Sequence, residues 1–211
     1  VSDRLTDLEL ADFLDRLASD SPTPGGGSAS ALAGALAGAL VEMVARLTMG
    51  RERYADAEAE MADVLNRAGA IRRELTDLID RDARAFEAVM AASRLPRGTE
   101  DEKNRRRAAI EEATKEAAQV PLRVTELACE MLSLARTAAE RGNPNAVTDA
   151  GVAGHLALTA AEGAALNVKI NLAGLKDDSY RTETERRVEE RLNQARDAAR
   201  DTAAAVRQRM G

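Results

Sequence analysis

The run of small and aliphatic residues from Ala29 to Val41, entered through Pro22-Thr23-Pro24-Gly25-Gly26-Gly27-Ser28, constrains this chain's fold more than any other stretch. Gly34 and Gly38 stand four residues apart among alanines. On a helix that spacing puts both on one face, where another backbone can come close. Leu32, Leu36, Leu40, Met43 and Leu47 line the opposite side. A helix over residues 28–49 that is small or apolar on both sides is expected in the middle of a bundle. The run from Ala29 to Val41 is too short for a bilayer span and Glu42 ends it, so no membrane is expected.

The turn ahead of that helix has its own chemistry. Two prolines fix the backbone and three glycines admit conformations closed to other residues. Ser28 can cap the helix. The helix N-terminus also offers free N–H groups and a positive dipole end to an anion. The residues alone leave both readings open: a tight turn with a cap, or an anion cradle.

The remaining chain reads as all-helical. Its 211 residues are 45% hydrophobic and 31% charged, enough for one domain over residues 1–211 with a substantial core. Trp is absent and there are two Phe and two Tyr, which together with the Ala, Leu, Glu and Arg content favours helices over strands. A net charge of −6 argues against nucleic-acid binding, and Arg105-Arg106-Arg107 reads as a solvated helix face. The single cysteine, Cys129, excludes an intramolecular disulfide and reads as an inert thiol. No leader pattern is read, and a cytoplasmic location is expected.

Periodicity predicts a first helix over residues 6–19 with Leu10, Phe13, Leu14 and Leu17 on one face. A long third helix over residues 53–93 carries Met61, Val64, Ala68, Ile71, Leu75, Leu78, Phe86 and Val89 at threes and fours. Asp82 falls inside that stripe, where a carboxylate must be paired, protonated or exposed to a cavity. After Leu95-Pro96-Arg97-Gly98, Thr99 with Glu102 starts a fourth helix that reaches Glu140. Pro121 is expected to kink or divide it. Lys103 and Arg106 project toward its apolar face, either as snorkelling side chains or as positive charge at a site's mouth.

A fifth helix opens near Thr148. Asp149, Ala153, Leu156, Ala160, Gly163, Asn167 and Asn171 fall within about 80° of its arc. That face of small and hydrogen-bonding residues needs partners, either another helix or a polar ligand. His155 lies off it. The last helix, residues 177–210, is amphipathic with Val188, Leu192, Ala195, Ala199, Val206 and Met210 inward, as a bundle cover or dimer element. No zinc-ligand spacing, Walker motif, dinucleotide fingerprint or nucleophile elbow is present, and no metal site is expected. The expected fold is an all-α bundle of five or six long antiparallel helices.

Taken in order, these landmarks resemble the cyclodeaminase/cyclohydrolase family of folate enzymes. The resemblance rests on the Pro22-to-Ser28 turn, Asp82 to Phe86, Leu95-Pro96, Lys103 and Arg106, Ala117, Val120-Pro121-Leu122, Gly142-Asn143, Asp149, Asn167-Val168 and Asn171-Leu172. It covers nearly the whole chain. Arg97 stands where the family often has lysine.

The resemblance implies a homodimer and a tetrahydrofolate derivative as substrate, with no further cofactor. It implies either ammonia-releasing cyclisation of 5-formimino-tetrahydrofolate or hydrolysis of 5,10-methenyl-tetrahydrofolate to the 10-formyl compound. Both pass through a tetrahedral carbon between two nitrogens, and both need a proton acceptor and a proton donor. On this basis Asp82 and Asp149 carry the proton transfers or hold the reacting water. Asn143, Asn167 and Asn171 orient the pterin, and Lys103 and Arg106 attract the glutamate tail. Pro24, Gly25, Gly26, Gly27 and Ser28 form a pocket wall or bind a carboxylate. Two further readings compete: a helical folate-binding or protein-interaction module without turnover, and a purely structural dimeric bundle.

Overall fold

Small residues let four of the helices close on one another, and the large ones fill the gaps left between them. The structure, a computed structural model, describes residues 4–211. Six α-helices follow in order: α1 (Leu10–Leu17), α2 (Gly26–Thr48), α3 (Glu58–Ser93), α4 (Glu100–Arg141), α5 (Val147–Leu172) and α6 (Asp178–Met210). There is no strand among the described residues. The helices α2 to α6 run up and down, each antiparallel to the next, which leaves α4 and α6 parallel: Lys115 pairs with Asp177 and, further along both, Arg136 with Asp201. An all-α bundle is what the periodicity predicts.

α2 packs on α3 and α5, with α4 behind it and α6 laid over α4 and α5. The glycines of α2 do what their spacing predicts. A Cβ on Gly34 would meet Leu75 at 3.0 Å, and one on Gly38 would meet Arg72 at 2.8 Å and Met131 at 3.0 Å. Leu75, Leu78, Leu122, Leu127, Met131, Leu132 and Leu172 fill the interior behind them.

The expectation that α2 is buried on both sides is corrected. Its small side is inside, and Leu36, Met43 and Leu47 are exposed by 48%, 37% and 36%. The physical reason is the close approach itself: helices brought together over glycine and alanine leave no room for leucine between them. By length and composition α2 is apolar enough to cross a membrane, contrary to the reading of the shorter run within it, yet most of it is buried in the bundle. Other apolar stripes also end sooner than their periodicity suggests. Leu10 and Leu14 on α1, Phe86 on α3 and Met210 on α6 are exposed, whereas Phe13, Leu78 and Val188 are buried. The predicted first helix is a 3-10 turn (Leu5–Asp7) followed by the shorter α1.

α4 starts with a capping box at Thr99 and Glu102, as predicted. Pro121 does not divide it. Its ring leaves the Ala117 carbonyl without the usual donor four residues on. Asn171 of α5 supplies one instead, its Nδ2 donating to Ala117 O at 2.8 Å. The N-terminal segment is fastened in the same manner by buried Asp80, which accepts the Leu5 N–H at 2.5 Å, the Thr6 hydroxyl at 2.8 Å and the Arg4 guanidinium at 3.1 Å. Burial alone would raise the Asp80 carboxyl; the bonds from Thr6, Arg4 and Leu5 outweigh it and hold it below the usual range.

The Asn171 bond makes a prediction. Asn171→Ala leaves a buried carbonyl unsatisfied and costs about 1–3 kcal/mol. In a Pro121→Ala background, where residue 121 regains its N–H, the same substitution costs much less. Denaturant melts of the four proteins of this double-mutant cycle measure the difference; equal costs in both backgrounds would show that Asn171 does not replace the missing helix bond.

Candidate functional site around Asp82

The first turn of α2 has exposed N–H groups and no side chain of its own segment to cap them. Gly25 is the N-cap residue, and the Thr23–Pro24 peptide that leads into it is cis. Ser28, expected as the cap, lies inside the helix instead. The capping group comes from α3: the Asp82 carboxylate accepts the Ser28 hydroxyl at 3.0 Å and lies against the Ser28 backbone N–H. The anion cradled by this helix end is therefore the protein's own carboxylate. Gly27 has to be glycine for this, since a Cβ there would collide with the Asp82 carboxylate.

The Ser28 hydroxyl has one proton and two acceptors within reach. The Ile79 carbonyl lies 3.0 Å away, the same distance as Asp82 Oδ2. With Asp82 ionised, the hydroxyl donates to the carboxylate. With Asp82 protonated, it can turn to the Ile79 carbonyl and accept the acid proton through its own lone pair. Both charge states of Asp82 thus keep a partner. Burial pushes the Asp82 carboxyl above its usual value, and the Ser28 hydroxyl and N–H only partly offset it. A half-buried carboxylic acid of raised proton affinity, with a rotating hydroxyl beside it, is suited to proton transfer nearer neutral pH.

Asn167 flanks the same turn from α5. Its side chain lies 3.4 Å from where a Cβ of Gly26 would stand, and its Nδ2 donates to the Gly163 carbonyl at 2.9 Å. That leaves Asn167 Oδ1 accepting no hydrogen bond among the described residues. The small glycines thus seat Asp82 on one side of the helix start and Asn167 on the other. Pro24 is buried below the turn, and Gly26 is exposed on top. Asn171 stands one turn past Asn167 with its amide on the Ala117 carbonyl.

The other predicted site residues lie elsewhere in the chain. Arg106 donates to the Ser93 carbonyl at 3.0 Å, at the C-terminal end of α3, and Lys103 pairs with Glu100 at 2.6 Å. Ser93 is about 16 Å along α3 from Asp82 at the helical rise per residue. Asn143 and Asp149 are at the opposite end of the bundle. Asn143 is 5% exposed and its amide is consumed: Nδ2 donates to Leu47 O, and Oδ1 accepts the Tyr54 hydroxyl and the Asn145 N–H. It brackets the α4–α5 connection to the end of α2. Asp149 lies in the first turn of α5, about 27 Å along that helix from Asn167. One chain therefore does not bring Asp82 and Asp149 together. The helical wheel places both asparagines and Asp149 on one face correctly, but it does not tell which end of the face meets Asp82.

His155 is exposed in a groove of about 600 Å³ between α5 and α6, beside Arg200 and Arg207 and away from Asp82. Cys129 is half-buried, its thiol donating to the Arg191 carbonyl at 3.2 Å and pushed up by burial to about 11, so it stays protonated at neutral pH. No group of three or more His, Cys, Asp or Glu side chains among the described residues is placed to hold a metal ion. What residue spacing missed is the Ser28–Asp82 pairing itself. The two positions are far apart in the chain, and only the glycine turn hinted that something would close on it.

Comparison with known proteins supplies the family. A methenyltetrahydrofolate cyclohydrolase of Methylorubrum extorquens is 45% identical over 183 residues, covering 87% of this chain and 88% of that protein. The formimidoyltransferase-cyclodeaminase of Rattus norvegicus is 34% identical over 195 residues, 92% of this chain but 36% of that longer protein. The crystal structure of formiminotetrahydrofolate cyclodeaminase from Thermotoga maritima superposes with a TM-score of 0.88 at 31% identity, covering 97% of this chain and 98% of that one. The family model for formiminotransferase-cyclodeaminase matches residues 9–190, and the chain belongs to that family.

Proposed function

We propose that this chain hydrolyses 5,10-methenyl-tetrahydrofolate to 10-formyl-tetrahydrofolate, with Asp82 as the proton carrier. The observation that carries the reading is a carboxylate of raised proton affinity held at the open start of α2 by Ser28. The cyclohydrolase of similar length, matched over most of both chains, supports hydrolysis as the main reaction. Ionised Asp82 takes a proton from water as the water oxygen bonds to the methenyl carbon. The π pair of the carbon–nitrogen bond moves onto nitrogen. Protonated Asp82 then returns its proton to N5 as the carbon–N5 bond breaks, the hydroxyl on that carbon gives its remaining proton to solvent water as the C=O forms, and the formyl group is left on N10 with one proton released overall.

The ammonia-releasing, lyase-type cyclisation is the second reading, favoured by the likeness to the Thermotoga cyclodeaminase. The same group suffices. The formimino nitrogen enters protonated, as an amidinium; Asp82 takes the N10 proton as N10 attacks the formimino carbon and hands it to the resulting NH2 group, so ammonia departs and the methenyl cation remains. In both reactions Ser28 follows the charge on Asp82. Asn167 offers its free carbonyl oxygen to the pterin, and Lys103 and Arg106 take the glutamate carboxylates. The reading needs no cofactor beyond the folate itself, and it places the enzyme in the cytoplasm.

A homodimer belongs to the same reading. Leu36, Leu40, Met43 and Leu47 on α2 recur at alternating fours and threes, and Val152 with Leu156 and Leu166 with Ile170 form two pairs one turn apart on α5, on neighbouring outer faces. Ile170 and Leu166 are exposed by 71% and 69%. Two such seams on antiparallel helices suit a second copy packed as the other half of a four-helix arrangement. A two-fold axis perpendicular to the helices would bring the Asp149 end of one copy beside the Asp82 end of the other.

Three measurements test this. Loss or gain of the near-ultraviolet band of the methenyl compound reports turnover, and Asp82→Asn is expected to lower kcat about 100-fold or more while KM changes little. Unchanged kcat would remove Asp82 from the chemistry.

The same variant has a stability signature. Native Asp82 holds its proton more tightly than the unfolded chain does, so its contribution is full below the unfolded value of 3.8 and is lost as pH rises through the folded value. Asp82→Asn therefore gains stability relative to the wild-type chain as pH rises toward 7, as melts at several pH values would show.

Leu36→Glu with Leu166→Glu is expected to halve the mass seen by light scattering and to abolish turnover. A fully active monomer would discard the paired site.

A further inference from the structure

Asp82 is followed along α3 by a line of side chains that are exposed or only partly buried. At 100° per residue Phe86, Val89 and Ser93 fall within about 60° of arc around Asp82, one, two and three turns further on, with Met90 at the edge of that strip. Phe86 is one of two phenylalanines in a chain without tryptophan, and it is 39% exposed. Met90 is 38% exposed and Val89 half-buried. The helix stripe that is core at Leu75 and Leu78 is exposed at Phe86 and, beside it, at Met90. The strip finishes at the Ser93 carbonyl, where Arg106 is anchored, and beside it a cleft of about 400 Å³ is lined by Arg97, Glu100, Lys103, Arg106 and Arg107.

The order along this strip is acid, aromatic and thioether, then cations. It complements a ligand whose reacting carbon is joined through an aromatic ring to a carboxylate tail. We infer that Phe86, with Met90 and Val89, forms the platform for the aminobenzoyl ring of the substrate. This rests on the folate reading above and adds a substrate-contacting residue to it. A flat ring lies against the Phe86 face in offset or edge-on contact, and the Met90 sulfur meets its edge. The platform sets the distance between the carbon at Asp82 and the carboxylates at Arg106, so it governs affinity and register and takes no part in proton transfer.

Phe86→Ala should raise KM about 10-fold or more for 5,10-methenyl-tetrahydrofolate, with kcat at saturation within about threefold of wild type. Phe86→Tyr should restore KM and Phe86→Leu should fall between. Thermal melts should move by only a few degrees, because the side chain is part-exposed.

The corresponding tetrahydropteroate derivative, which has the benzoyl ring and lacks the glutamate, separates the two ends of the strip. Phe86→Ala should weaken it as much as the full substrate, whereas Arg106→Ala should weaken only the full substrate. A wild-type chain that turns over neither the methenyl nor the formimino folate overturns the folate reading and the platform with it. An active wild type whose Phe86→Ala variant keeps KM for both compounds overturns the platform alone.

Discussion

The contact between the Asp82 carboxylate and the first turn of α2 is the constraint on which the rest depends. A helix start with free N–H groups and a desolvated carboxylate each cost free energy alone. Brought together, each answers the other's need. Three conditions make this possible in one place. Gly27 has no Cβ to block the carboxylate, α3 presents Asp82 at the right turn, and α2 and α3 approach closely because Gly34 and Gly38 sit between them. The balance is left tilted. Burial outweighs the Ser28 bonds, so Asp82 keeps a raised proton affinity. A structural cap that fully satisfied the carboxylate would have lowered it, as the bonds to Asp80 do nearby.

The same close packing decides what faces outward. Helices joined over small residues expel their leucines, and on α2 and α5 these form exposed seams along adjacent antiparallel helices. The proposed two-fold assembly would account for both the seams and the distance between Asp82 and Asp149: it would cover the apolar surface and make acidic side chains at opposite ends of one bundle neighbours between two.

Much of this was legible in the residues. Asp82 within an apolar stripe, Asn167 and Asn171 on one face, the Thr99 capping box and the close-packing glycines all follow from helical spacing. Other readings were not legible. The face of Asn171 leaves a neighbouring helix and a ligand both open as partners, and only the structure shows its amide replacing the hydrogen bond that Pro121 removes from α4. Asn143, a loop residue expected in the site only from the family resemblance, has its amide spent on the Leu47 carbonyl, Tyr54 and Asn145. A helical wheel tells which face a polar side chain occupies. It does not tell whether a backbone group across the interface already needs it.

Local chemistry set the helices, their caps and their apolar periods, because those depend on neighbours within a turn or two. It also set which residue types were available: the chain has one histidine, and that one is exposed and off the polar face. Only the tertiary structure decided that Asp82, and not Ser28, caps α2, that the large side of α2 faces outward, and that Asp149 lies at the far end. Those outcomes turn on how closely two helices approach and in which direction they run, and spacing within a single helix carries no information about either.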